Sequence, residues 1–543
     1  MKQLILTAIL SIIGTFTFSQ EKITLSKEFS YDVSKPYPVT DAGIKTYFGK
    51  EGEVLSIKVD GKVVYIQKYE EKTLKQISSK VYEDFDKGFV TENIVNFANK
   101  YFLFYSAWDK PNKKEQLFVR EVDFDKGQFT GKSTKLITVD GKVTGGDGNK
   151  FQIETSFDES KLLIRYRQFP ESKKDNVNKD IIGMFVYDGN LEQIWGKSVK
   201  MPYTESQMNN IDYAVNNKGT AFILSEVLPN GEKNRLNKDK TPNFKIKLLS
   251  ITGDNGIEAN DLDVEIKGKM INQVGFFEGP KDELILAGYY GNKSYNNVDG
   301  IFMFKMTETG EMSDAVNFEI PTEIIKQYKS DKAQKKMDKK EDEGYDYSLS
   351  NMVLRDLSVA EDGSIVMVGE KYYAVTTYNS KGQSSTTYYY QEMLISKINS
   401  DGSLGWMRKL PKNQVGRNSG TSSLFTVTFT LGGGSGLGFK YINNNDAHYL
   451  LFLDNVKNIN LKDNEVPKAH QDGAGGFLTG YRIDDKTGEV KKLSILDTKD
   501  AKGTELFQFQ PTRIVNVSEN VFGLECYKKD KEDVMIKITL NDK

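Results

Sequence analysis

Asp362-Gly363-Ser364, a polar turn, runs straight into Ile365-Val366-Met367-Val368-Gly369, an apolar strand. The same two-part unit returns along the chain. Lys281-Asp282-Glu283 precedes Leu284-Ile285-Leu286-Ala287-Gly288, and Lys218-Gly219-Thr220 precedes Ala221-Phe222-Ile223-Leu224. Glu159-Ser160-Lys161 precedes Leu162-Leu163-Ile164, and further copies begin near Glu51, Asn99, Asn445 and Ser518. Each copy is followed by a second strand that ends in a Gly- or Asp-bearing turn. Ile301 to Met306 runs into Glu308-Thr309-Gly310, Met393 to Ile398 into Ser400-Asp401-Gly402, and Leu117 to Val122 into Asp125-Lys126-Gly127. Several third strands close on an apolar residue and a proline: Met201-Pro202, Ile320-Pro321 and Leu410-Pro411. Trp195 and Trp406 hold matching places in two of these units.

Helical periodicity is scarce outside one segment, and short alternating runs between Gly, Asn, Asp and Lys turns dominate. A small twisted sheet cannot bury both of its faces alone. Packing sheet against sheet in a ring buries both and leaves only short edges. The pattern therefore predicts an all-β chain folded as a single β-propeller, with four antiparallel strands per blade. Eight blades is the predicted count and seven the alternative, because Ser422 to Thr498 is irregular. The last unit supplies three strands, near 511–517, 521–528 and 534–540. The missing outer strand is expected from the N-terminal segment, where Ile23 to Phe29 alternates.

Residues 1–19 read as a secretory leader. Lys2 is followed by an apolar run from Leu4 to Phe18, with small residues before a cut after Ser19. No cysteine follows that run, which removes a lipid anchor. No later stretch approaches the roughly 18 apolar residues of a spanning helix. Residues 20–543 are then the propeller, carrying a charged insertion at 322–350. The expected compartment is the periplasm, with secretion as the alternative, and the expected state is a monomer.

Lys+Arg 74 against Asp+Glu 76 gives a formal charge of −2, which argues against nucleic acid as a partner. One cysteine and two histidines leave no disulfide framework and no Cys-rich zinc site. The glycine run Gly432 to Gly438 lacks the Lys-Ser/Thr of a phosphate loop and any helix after it. No serine elbow, calcium loop or outstanding carboxylate pair is legible. The expectation is thus a non-enzymatic chain with no cofactor, no metal and no catalytic residues.

Two segments carry the recognition expectation. Lys371 to Glu392 is an extended hairpin with Tyr372, Tyr373, Tyr378, Tyr388, Tyr389 and Tyr390 on its arms. Tyrosine joins a large apolar face to a polar tip, which suits protein or sugar contacts, although cross-strand packing explains the same residues. The insertion at 322–350 is helix-like and charged, with Lys335, Lys336, Lys339 and Lys340 ahead of Glu341, Asp342 and Glu343. It reads as an arm for a partner or as a solvated helix.

The turn, alternating strand and Asp-Gly turn resemble those of secreted bacterial propellers. Units such as Trp406-Met407-Arg408-Lys409-Leu410-Pro411 are similar to those in large exported proteins of gliding bacteria that use the type nine secretion pathway. That pathway has a soluble periplasmic subunit that plugs its outer-membrane translocon. The resemblance implies a protein partner in the cell envelope and a role as accessory or plug of such a channel. The absence of a recognisable C-terminal sorting domain fits retention in the periplasm. The alternatives are a polysaccharide-binding or polysaccharide-cleaving propeller, marked by two facing carboxylates beside Tyr or Trp, and a purely structural envelope component.

Overall fold

The computed structural model describes residues 25–541, apart from 147, 173, 230–234, 239–241, 255–256, 281–282, 295, 308–310, 418–436, 445, 463, 472–474 and 508. The predicted leader and most of the Gly432 to Gly438 run lie outside the described residues. The chain is all-β. Among the described residues, eight sheets of four or more strands, antiparallel but for one short parallel pair in the sixth, follow one another, and a two-stranded pair lies between the fifth and sixth.

The first sheet holds Ile44–Lys50, Glu53–Asp60, Val63–Tyr69 and Gln76–Tyr82. The second begins at Val90–Phe97, the third at Gln152–Thr155 and the fourth at Met208–Val215. The fifth begins at Met270–Glu278, the sixth at Met352–Val359, the seventh at Lys440–Asn444 and the eighth at Ile514–Ser518. Chain order is spatial order in the first, third, fourth, fifth and seventh sheets.

The eighth sheet is made from both ends of the chain. Phe29–Val33 pairs antiparallel with Glu532–Leu540, from Phe29 opposite Leu540 to Val33 opposite Ile536. Tyr37–Pro38 adds to the same strand at Asp533 and Glu532. The pairing strand thus lies further along than the Ile23 to Phe29 run that the sequence suggested. Phe29, Tyr31 and Val33 are the residues that pack on the core, and their alternation sets the register.

Period-two alternation explains the packing. In Leu284–Gly291, Leu284, Leu286 and Tyr290 join a cluster with the fourth sheet. Ile285, Ala287 and Tyr289 of the same strand join a cluster with the sixth. Ile365 and Met367 likewise face the fifth sheet, while Val366 and Val368 face the seventh. Successive side chains leave a strand on opposite faces, so a strand buried on both sides reads as a continuous apolar run. Each of the eight apolar clusters joins two consecutive sheets. One of them joins the eighth sheet to the first, through Tyr37, Tyr47, Val54, Tyr69, Val515, Val517 and Met535.

The two matched tryptophans have matched roles. Trp195 donates its indole N–H to the Gly219 carbonyl at 2.7 Å, and Trp406 donates to the Asp485 carbonyl at 2.9 Å. Each bond reaches from the last strand of one sheet to a turn of the next. A methyl group on Gly488 would stand 2.5 Å from the Trp406 ring, and Gly488 has φ +65°, so glycine is required there on two counts. The apolar-proline closures also hold their places, with Met201, Ile320 and Leu410 all buried.

Candidate functional site

The two segments singled out in the sequence lie in the sixth sheet and in the connection that leads to it from the fifth. Ile365–Tyr378 and Ser384–Ile398 are the sixth sheet's second and third strands, and they continue as a hairpin past the end of Met352–Val359. Tyr373 stacks on Tyr389, directly opposite, at 4.6 Å and 8° between ring planes. Tyr372 stacks on Tyr388 at 6.4 Å and meets Tyr390 at 4.9 Å. Five of the six tyrosines therefore pack on one another, and Tyr390 is buried and unable to meet a partner. Tyr378 differs: it is 73% exposed near the hairpin tip, with Val375 at 42%.

A buried ionic triad anchors this hairpin. Glu370 accepts from Lys412 Nζ at 2.6 Å and from Arg355 Nε at 3.0 Å. The Arg355 guanidinium lies over the Tyr372 ring and the Lys412 ammonium over the Tyr390 ring. Breaking such a triad would leave a charge without its counter-charge in the interior.

The insertion forms two helices, α1 (Thr322–Lys326) and α2 (Asp331–Asp342). Ser330 caps α2 by accepting from the Ala333 N–H. Lys326 ties α2 down through Asp338 at 2.6 Å and through Glu341, and Met337 packs against the core between the fifth and sixth sheets. Lys335, Lys336, Lys339 and Lys340 all stay exposed, with Lys340 over the Tyr345 ring. Lys409, buried under α1, donates to the carbonyls of Ile325 and Gln327. Burial lowers its pKa to about 8 despite the Glu392 charge.

The sequence did not reveal a second region, built from the first strands of the sheets. These strands touch one another: Gln152–Thr155 meets Val90–Phe97 and Met208–Val215, and Met270–Glu278 meets Met208–Val215 and Met352–Val359. Four of them carry a β-bulge at the same place, ahead of Asn93, Asp212, Gln273 and Asp356. A bulge re-aims the side chain that follows it. Asn93 accepts from the Ile94 N–H, and Asp212 from the Tyr213 N–H. Gln273 joins the fifth and sixth sheets by donating to the Met352 carbonyl and accepting from Leu354 N–H.

Beside Asp212 lies a polar cavity of about 730 Å³, lined among others by Arg165, Tyr166, Arg167, Asp180, Glu205 and Tyr213. The Arg165 guanidinium sits 3.5 Å above the Tyr213 ring and 3.5 Å from the Glu154 carboxylate. Arg167 pairs with Asp180 at 2.6 Å and Glu205 at 2.5 Å. Burial, and then the Glu154 charge, push the Asp212 carboxyl up to about 7. Burial raises Glu154 as well, against the pull of Arg165. The cavity thus holds one acid, Asp212, poised to bind a proton near neutrality, beside cations and two tyrosines. Bulge spacing could have exposed this set, since each polar residue falls one place out of its strand's alternation.

His448 is buried, with Nδ1 2.9 Å from the Tyr441 hydroxyl and Nε2 2.9 Å from Asp485 Oδ1. His470 sits in a two-residue strand, His470–Gln471, that pairs parallel with Gln414–Gly416. Among the described residues no three His, Cys, Asp or Glu side chains converge as a metal centre would require. Among those residues, too, no helix is long and apolar enough to cross a membrane.

No family model matches the chain, and no curated protein matches its sequence. Among solved structures it is similar to a prolyl endopeptidase at 11% identity, covering 90% of this chain and 53% of that one, with a TM-score of 0.34. It is similar to prolyl oligopeptidase B from Galerina marginata at 8% identity, covering 94% and 55%, with a TM-score of 0.37. A third likeness is to the Dos1 propeller, at 11% identity over 59% and 64%, with a TM-score of 0.31. The chain spans about half the length of the two peptidases. Enzymes thus stand among the structures it resembles, and the expectation of a non-enzymatic chain is corrected on that ground.

Proposed function

We propose that the chain is an exported eight-bladed propeller that binds a protein partner in the cell envelope, as accessory or plug of an outer-membrane secretion channel. The leader at 1–19 and the resemblance to the type nine secretion plug motivate the compartment. Ring closure is supported by the order of the apolar clusters, which join the first sheet to the second and so on until the eighth meets the first. The partner role rests on one observation: the hairpin protrudes from the sixth sheet with an exposed tip, and the lysine-bearing α2, in the connection from the fifth sheet to the sixth, leaves its lysines exposed. An exposed aromatic tip and a basic helix face suit a protein surface with apolar and acidic ground.

Affinity purification of a tagged chain from native envelope tests this. The expected result is co-purification of the channel protein, identified by mass spectrometry. Tyr378→Ser with Val375→Ser should weaken that association at least about tenfold without moving the melting curve. Tyr388→Ser with Tyr389→Ser should lower both, because those rings support the hairpin. Reversal of Lys335, Lys336 and Lys339 to Glu should release the channel at lower salt. A monomer that captures no channel in a cross-linked preparation would sink the reading.

One observation favours a second reading, a polysaccharide-binding or polysaccharide-cleaving propeller. The Asp212 carboxyl, raised by burial and then by the Glu154 charge, stands beside Tyr213 in a polar cavity. A raised acid near a second carboxyl is the arrangement glycoside cleavage needs. Turnover of a chromogenic glycoside, lost in Asp212→Asn, would support it; a full panel without turnover or binding would discard it.

A further inference from the structure

A second cavity, of about 790 Å³, opens where the first strands of the seventh, eighth and first sheets approach one another. Its charged lining is Lys45, Lys440 and Arg513, and no carboxylate lines it. Thr46, Asn443, Gln510 and Asn516 supply neutral hydrogen-bonding groups around the same space.

Arg513 is the telling residue. It is 8% exposed, yet neither Nε nor Nη1 has a hydrogen-bond partner among the described residues. A guanidinium removed from water without acceptors is costly unless something else supplies them. The nearby acids are engaged or insufficient. Glu525 takes Lys58 at 2.5 Å and Lys45 at 3.7 Å. Asp533 has Lys45 at 3.8 Å. Asp356 faces Lys440 across the strands. Lys45, Lys58, Lys440 and Arg513 together outnumber Glu525, Asp533 and Asp356 by one. The surplus positive charge stands at the cavity's lining, where Lys45, Lys440 and Arg513 meet no carboxylate, and calls for a negative group.

We infer that this cavity binds a small organic oxyanion, a molecule bearing a carboxylate or a phosphate group, held by Arg513 and Lys440. Guanidinium and ammonium donors give charge-assisted hydrogen bonds to either group. The volume falls within the range of small-molecule sites and far exceeds a bare ion. The amide and hydroxyl lining then holds the rest of a polar molecule. The site is separate from the hairpin of the sixth sheet and from α2, so it stands whether or not a channel is the partner.

The test uses the full exported chain with inorganic phosphate, glucose 6-phosphate, glucuronate and, as neutral control, glucose, at fixed ionic strength. Thermal shift and titration calorimetry are the readouts. At least one anionic probe should bind and raise the melting temperature by about 2 °C, while glucose does not. A response to both phosphates alone assigns a phosphate ligand, and a response to glucuronate alone a carboxylate. Lys440→Gln should weaken that binding about tenfold, and Arg513→Gln by more. Should Arg513→Gln fail to fold, Lys440→Gln decides alone. Binding of no anionic probe, equal binding of glucose, or full affinity in the folded variants would overturn the proposal.

Discussion

Removal of residues 21–38 should lower the melting temperature by about 5 °C and make the chain prone to associate. Phe29–Val33 supplies the outer strand of the eighth sheet, and its loss leaves Glu532–Leu540 as an open edge. Exposed edges invite pairing with a second chain. The segment also brings anchors. Phe29 is buried and meets Tyr449 edge-on at 6.4 Å. Ser34 N–H donates to the Met535 carbonyl at 2.8 Å, and its hydroxyl accepts from Met535 N–H at 2.9 Å. Tyr37 donates to Glu525 at 2.8 Å from the opposite end of the chain. Losing Phe29 and Tyr37 alone costs on the order of 5 kcal/mol, which a chain of this size reads as roughly that many degrees. Calorimetry and size-exclusion chromatography are the measurements. An unchanged melting curve would show that the two ends do not hold the molecule together.

The sheets were legible because their strands are buried on both faces. Val366 and Met367 face different neighbours, yet both are apolar, so the run Ile365 to Val368 stands out without any periodic signal. The hairpin at Lys371 to Glu392 was legible for the opposite reason, since its arms keep polar residues where no neighbouring sheet covers them. What the sequence hid were the charges inside those strands. Lys58, Glu226, Glu370 and Glu525 all fall at the fifth or sixth residue of second strands, and all are at most 1% exposed. Read alone, each looks like a solvent-facing position. In a strand with no solvent face it becomes a buried ion that must find a partner. For Lys58 and Glu525 that partner lies 467 residues away, beyond any local reading. The repeat itself held the signal: the same place in several copies carries a charge where an apolar residue would be expected.

The tyrosines show the limit from the other side. Tyrosine content identified the hairpin but could not separate Tyr378, which faces solvent, from Tyr390, which is buried over Lys412. That distinction depends on Gln414–Gly416, which pairs with the hairpin's second arm at Tyr388 to Tyr390. The strand returns from outside the hairpin, and no spacing within 371–392 announces it.

Glu525→Ala should destabilise the chain by about 3–5 kcal/mol, the range for breaking a buried ion pair from one side. Glu525 has no exposed side-chain surface. It accepts from Lys58 and from Tyr47 at 2.5 Å each, from Tyr37 at 2.8 Å and from Tyr69 at 3.3 Å. Removing it strands the Lys58 ammonium, which is equally buried. Glu525→Leu combined with Lys58→Met should recover most of the loss, because two apolar groups leave no ion unpaired. Acid should act in the same sense as the single variant. Burial opposes the Glu525 charge, but Lys58 and Lys45, with the hydrogen bonds from Lys58 and Tyr47, hold its carboxyl below the usual range. Its contribution is therefore complete above the unfolded value of about 4.3 and drains away as pH falls below it. Asp533 runs the other way. Burial first, and then the Glu525 charge, raise its carboxyl, and neither oxygen has a hydrogen-bond partner among the described residues. The folded state there prefers the proton, so ionisation weakens stability as pH rises above the unfolded value of about 3.9. Asp533→Asn should consequently cost nothing at pH 7. Chemical denaturation of the three variants at pH 7 and of the parent from pH 7 to pH 3 decides both signs. A Glu525→Ala chain as stable as the parent would remove the network from among the forces that join the eighth sheet to the first.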